Sequence, residues 1–358
     1  MTISSKRTII TGIIGSMLWL SLVTGTHAEL SIEETRILLE KSLTITEIDR
    51  EIVRLSEEEL QVEDQIVDTE QSIVSQQVLV DKARFHAGKV LRSVYMGDRD
   101  GLWLLLLDSK NFSDAIIVYQ YLHAIASNDQ KALQKHQKAF QQLKNLNAQL
   151  DTRRTELQAL KAQFIAQRIR VVQLQEQLDK QLATVSNKEE ILAQMDELSK
   201  AWQKDGLPLF QQFLQAMSEA LLDLPEFING DNLEQKGTRF IFHIKEDELN
   251  TFLRGKNPIF EHFVYTITSE HITIKGQMNK VDITINGHYA IENEPENALR
   301  FTLDELIYNG FTLPDTTRND MQKQFSMTFY PKRFSGSLEA SNVIQNPGEL
   351  LIELTITP

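Results

Sequence analysis

RFHAGKVLRSVYMGDRDGLWLLLLDSKNFSDAIIVYQYLHAIASND, residues 84–129, decides the fold. It is a dense apolar stretch set between two long polar arms that repeat in heptads, and it reads as the tip of a helical hairpin. Gly97 and Gly101 bracket Asp98-Arg99-Asp100, a helix stop, and Leu102 to Leu107 is then apolar without a break. Asn111 or Ser113 offers an N-cap for a new helix carrying Ile116, Ile117, Tyr119, Tyr121, Leu122 and Ile125. A two-helix tip has little volume in which to hide its large side chains. Two readings stand side by side: a small core that closes the hairpin, or an exposed docking patch built from Leu102, Trp103, Phe112, Ile116, Tyr119 and Tyr121.

The arms support a hairpin. The first carries a 3-4 seam at Ile45, Ile48, Ile52, Leu55, Val62, Ile66, Ile73 and Val80, with Glu59, Thr69 and Gln76 as polar faults. The second runs Leu143, Leu146, Leu150, Leu157, Leu160, Phe164, Val171, Leu174 and Leu178, with Arg153 and Gln167 off pattern. These are coiled-coil seams, and no proline interrupts the chain before Pro208. Arms of about 60 residues reach roughly 90 Å at 1.5 Å per residue. Charge is divided between them. Residues 29–80 hold 14 Asp/Glu against 4 Lys/Arg, and residues 130–182 hold 10 Lys/Arg against 4 Asp/Glu. Opposite fields favour an antiparallel pair within one monomeric chain over a parallel dimer of acidic arms.

Residues 1–28 read as a signal peptide: Lys6 and Arg7 form a basic start, Ile9 to Val23 an apolar stretch, and Thr26-His27-Ala28 ends in a small residue. The apolar stretch is broken by Gly12, Gly15 and Ser16 and is short for a membrane span of about 20 residues. The expectation is a protein exported across the cytoplasmic membrane that works outside it. With no cysteine in 358 residues, disulfides, a lipid-anchor cysteine, a thiol nucleophile and Cys-ligated zinc are all excluded. A net charge of −13 argues against nucleic acid as a partner.

Beyond the hairpin (residues 29–188, with its tip at about 97–128), residues 189–230 read as connecting helices, with a junction near Asp205 and a helix starting at Gly206-Leu207-Pro208. From Thr238 the period changes to alternation: Phe240, Phe242, Ile244; Ile272, Ile274; Val281, Ile283, Ile285; Leu299, Phe301, Leu303; and Leu350, Ile352, Leu354, Ile356. Turns are expected at Ser269-Glu270, Asn286-Gly287 and Asn309-Gly310, and helices over 246–254 and 316–325. Residues 231–358 therefore form an antiparallel curved sheet with helices against one face, and the whole chain is α+β and multidomain. His243, His262, His271 and His288 show no ligand spacing, and Glu57-Glu58-Glu59 and Glu246-Asp247-Glu248 read as solvated helix surface. No catalytic residue, metal site or cofactor is assigned.

LRSVYMG (Leu91 to Gly97), LWLLLLDSKNFSD (Leu102 to Asp114) and YQYLHAIASND (Tyr119 to Asp129) stand in an order that resembles the coiled-coil region of PcsB- and EnvC-type cell-wall hydrolases and hydrolase activators. The resemblance covers about residues 31–185. It implies an exported regulator of peptidoglycan hydrolysis, docked through its coiled coil on the extracytoplasmic loops of an FtsEX-type ABC transporter and acting on a cell-wall hydrolase. The family's catalytic domains need a cysteine or a His-x-His zinc motif, and this chain has neither. A non-enzymatic adaptor is therefore expected. In the C-terminal part, EDELNTFLR (246–254) and FTLDELIYNGFTLP (301–314) faintly resemble YpmS- and LmeA-type extracytoplasmic domains, which implies lipid or glycolipid binding as the alternative function.

Overall fold

A computed structural model describes residues 31–97, 100–227, 232–237, 239–334 and 336–356, apart from the side chains at 100, 102, 103, 225 and 334. The signal segment expected at 1–28 lies outside the described residues. The fold is α+β. Two long helices, α1 (Ile32–Tyr95) and α3 (Phe112–Leu182), flank a short α2 (Asp100–Leu107) and run antiparallel. α1 opens on a capping box, in which Ser31 Oγ accepts from Glu34 N while Glu34 accepts from Ser31 N. Of the two N-cap candidates for the return helix, Asn111 fills the role and accepts from Asp114 N at 2.9 Å. Gly97 takes φ +70° at the end of α1, the left-handed conformation a helix stop requires.

The seam between the arms buries Leu55, Val62, Val80, Ala83 and Ala87 of α1 against Ala139, Leu150 and Leu160 of α3. The polar faults meet each other. Arg153 donates to Thr69 Oγ1 and, at 2.6 Å, to the Gln65 carbonyl; Gln76 donates to the Ala139 carbonyl at 2.9 Å. Lys161 reaches Glu63 at 2.8 Å and Glu59 at 3.5 Å, and Arg154 reaches Glu70 at 2.7 Å, which sets the register. Glu59 is therefore part of the inter-arm pairing and not merely solvated surface.

At the base, α4 (Lys188–Ala201) packs Ile191 and Met195 against Leu38, Ile45, Leu178 and Leu182. The boundary expected near Asp205 is not a break. α4 continues through a π-helical turn (Trp202–Gly206) into α5 (Leu207–Leu222), so one rod carries the chain from the hairpin into the second core. Gly206 is there for space: a Cβ would come within 2.5 Å of the Trp202 ring and 2.6 Å of the Tyr308 ring.

After α6 (Leu224–Phe227), the elements are β1 (Leu233–Lys236), β2 (Arg239–Lys245), α7 (Glu246–Lys256), β3 (Phe263–Ile267), β4 (Ile272–Met278), β5 (Val281–Glu292), β6 (Ala298–Tyr308), β7 (Phe311–Thr312), α8 (Asp315–Gln324), β8 (Thr328–Phe329), α9 (Pro331–Phe334), β9 (Leu338–Asn346) and β10 (Glu349–Ile356). They form two antiparallel sheets where the sequence suggested one: β1-β2-β10-β9, and β3-β4-β5-β6-β7 with β8 also on β6. The division arises because β2 pairs with the C-terminal strand, while α7 separates it from the meander that begins at β3. Phe242, Ile244, Leu350 and Ile352 of the first sheet and Phe263, Ile274, Ile285 and Phe301 of the second share one core with Phe210, Phe213 and Met217 of α5. Asn286-Gly287 is not a turn but a bulge inside β5. Gly287 is needed because a Cβ would run into the Thr302 backbone carbonyl and, at 2.5 Å, Phe301 Cζ.

Strand edges are closed by carboxamides. Asn250 of α7 accepts from Tyr265 N and donates to Tyr265 O, both at 2.9 Å, standing where a neighbouring strand of β3 would be. Asn297 does the same for Ala340 on β9, at 2.7 and 3.0 Å, and Gln322 for Leu303 N and Phe301 O on β6, at 2.7 and 3.1 Å. Glu246 accepts from Ile267 N at 2.8 Å, so the first carboxylate of the 246–248 acidic stretch is structural as well.

Candidate docking site

The tip gathers the last turns of α1, all of α2 and the first turns of α3. Of the six residues expected there, Phe112 is 82% exposed and Tyr121 69%, and Ile116 and Tyr119 are exposed too. Leu102 and Trp103 lie on α2, with side chains outside the description. Sequence reasoning missed their neighbours at the end of α1: Leu91 and Val94 are exposed, as is Met96, which caps the helix, and Tyr95 is 89% exposed. Leu104, Leu105 and Leu107 add the open side of α2. The described tip is thus a bare apolar and aromatic surface and not a closed core. Exposed apolar side chains gathered in one place make the tip the candidate for a docking surface, and aromatic anchors carry most of the energy where such surfaces bind.

At the other end of the shaft lies a buried polar joint that the sequence did not reveal. Glu47 of α1 is 1% exposed. Its carboxylate accepts from the Trp202 indole Nε1 at 2.6 Å, from Thr317 Oγ1 at 2.7 Å and from Arg50 at 3.1 Å, so every bond comes from a different element or turn. Asp320 of α8, 5% exposed, faces Arg54 at 3.4 Å and Arg50 at 3.6 Å. Burial pushes the Asp320 carboxyl above its usual value, with the two guanidinium groups pulling the other way. Arg54, held between Glu51 and Glu58, is raised further above its already high value, chiefly by the Glu51 hydrogen bond. Arg170 of α3 pairs with Asp315 at 2.5 Å. Both arms are therefore tied to α8. The available signal was a carboxylate at position 47 between Ile45 and Ile48, inside the apolar seam.

Two of the four histidines do have carboxylates on their face. His243 lies 2.9 Å from Glu349, and His288 2.8 Å from Asp304. Among the described residues no three such side chains converge as a metal site would require. Between the two sheets and the helices α5 and α7, Met217, Leu221, Leu253, Tyr289, Phe329 and Ile352 enclose an apolar void of about 20 Å³, room for about one water. Among the described residues no helix is long and apolar enough to cross a membrane.

No protein-family model matches the chain, and no curated protein matches it either.

Proposed function

We propose that this protein is a non-enzymatic adaptor of the cell envelope, working outside the cytoplasmic membrane. The hairpin tip docks on the extracytoplasmic loops of an FtsEX-type membrane complex, and the sheet domain engages a second protein, such as a cell-wall hydrolase whose activity it regulates. The observation that carries this reading is the exposed apolar tip, with Tyr95, Leu107, Phe112 and Tyr121 open to solvent at the far end of a shaft whose base is fixed. Surface of that kind is costly to leave in water and suits burial against a protein groove. The void between the sheets has no space for an acyl chain, so the lipid-carrier alternative draws no support from it.

Affinity capture from detergent-solubilised membranes tests the proposal. The wild-type chain should recover the transporter, and Phe112→Ser with Tyr121→Ser should lose it while the helical melt stays unchanged. Equal recovery by both would remove the tip as the docking site. The purified protein should also release no soluble muropeptides from sacculi, and release above a buffer control would overturn the non-enzymatic reading.

A further inference from the structure

The outer surface of α1 carries a second apolar band that nothing described in the chain covers. Val53, Leu60, Val67 and Val74 recur at strict sevens and are 59, 60, 50 and 67% exposed. Seven-residue spacing holds a straight line only on a helix wound into a left-handed supercoil, the state the seam with α3 imposes. At 3.6 residues per turn the band stands roughly 130° around α1 from that seam. α3 has a counterpart: Leu133 and Phe140 toward the tip, and Ile165, Ile169 and Val172 toward the base, all exposed. The same periodicity turns both bands to one side of the hairpin. Arg54 and Arg170, which hold α8, project to the other side, so the sheet domain leaves the banded face open.

We propose that a neighbouring copy of this chain covers these bands, with α1 of one copy lying antiparallel against α3 of the next and all tips at one end. Two observations select a second copy over any other occupant. The first is charge. The α1 arm is acidic, and among the described residues its ion pairs in this stretch are made by Glu58, Glu59, Glu63 and Glu70 and not by Glu57 and Asp64 beside the band, whereas the α3 arm is basic. A copy of α1 would repel α1, and a copy of α3 attracts it. The second is height. The register fixed by Lys161 with Glu59 and Glu63, and by Gln76 with Ala139, sets Val53 level with Ile165 and Ile169, Val74 level with Phe140, and Phe85 near Leu133. Phe85 is itself 62% exposed, so apolar surface meets apolar surface near both ends of the shaft when copies stand side by side. This contact goes beyond the docking role and stands without it.

The chain contains no cysteine, so cross-links can be placed at will. Val53→Cys chains mixed with Ile169→Cys chains should oxidise to a covalent heterodimer, whereas Val53→Cys alone should stay single, because acidic arms do not meet. Light scattering of the wild type at micromolar concentration should give a multiple of the chain mass. Leu60→Glu with Val67→Glu should return the mass of one chain with the helical circular dichroism unchanged. A single-chain mass for the wild type at every concentration would overturn the proposal, and so would preferential self-linking of Val53→Cys.

Discussion

The carboxylate of Glu47 and the indole of Trp202, 155 residues apart in the chain, share a 2.6 Å hydrogen bond that solvent does not reach. It joins the shaft to the π-helical turn from which the second core is built. Trp202→Phe keeps most of the ring contacts with Phe210 and Tyr308, at 5.7 and 5.1 Å, but leaves a buried carboxylate short of a donor. The expected loss is about 1–3 kcal/mol in urea unfolding. A loss under about 0.5 kcal/mol would mean that Thr317 and Arg50 satisfy Glu47 by themselves.

Asp320 makes the joint sensitive to acid in a definite direction. Its folded carboxyl titrates above the ordinary value of 3.8, so between these two values the folded state binds the proton more tightly than the unfolded chain. This group therefore adds stability as pH falls through its folded pKa, and withdraws it as pH rises. Asp320→Asn cannot titrate. The stability of the wild type relative to Asp320→Asn should increase on acidification from pH 7 toward pH 4, measured by denaturant midpoints. An unchanged difference would assign no shift to Asp320.

Asn250 offers a test of how the β3 edge is closed. Asn250→Asp retains an acceptor for Tyr265 N but places a carboxylate oxygen against Tyr265 O, and Asn250→Leu satisfies neither group. Both should cost about 1–3 kcal/mol or more, since two buried backbone groups depend on this side chain. Thermal melts of the two variants check it, and equal melts for wild type and Asn250→Leu would show that water replaces the amide.

Attraction between the arms should reside at mid-shaft. Arg154→Glu with Lys161→Glu removes the pairs with Glu70, Glu59 and Glu63, and the resulting loss of thermal stability should shrink as salt screens over about 10 Å at 0.1 M. The ion pairs between α1 and α3 among the described residues are made by Arg154 and Lys161 and not by Lys131, Lys135, Lys138 or Lys144, so reversing these four should leave the melt nearly unchanged.

The arms were legible because their signal is local and repeated: a heptad of apolar residues specifies a seam whatever lies elsewhere in the chain. Alternation did the same for β2, β4, β5 and β6. The division into two sheets was not legible, because the choice of β10 as the partner of β2 depends on residues more than 100 positions apart. Asn286-Gly287 misled for a related reason. A pair that favours turns serves here as a bulge, and what demands the glycine is the Thr302 carbonyl and the Phe301 ring on the adjacent strand. The tip was found by its apolar density, yet whether that density was core or surface depended on how little volume the three helix ends enclose. Glu47, Trp202, Thr317 and Asp320 come from three separated stretches of sequence, and only folding brings them together.

The unbroken length of α1 has a mechanical consequence. Its 64 residues span about 95 Å, and the joint that anchors them lies within the first quarter of the helix. A tilt of only about 5° at Glu47 would sweep the tip through roughly 6 Å, more than one helical turn of rise. Conversely, a partner pulling at Phe112 works on the joint with a long mechanical advantage, so a weak force at the tip becomes a large torque on the Glu47–Trp202 bond.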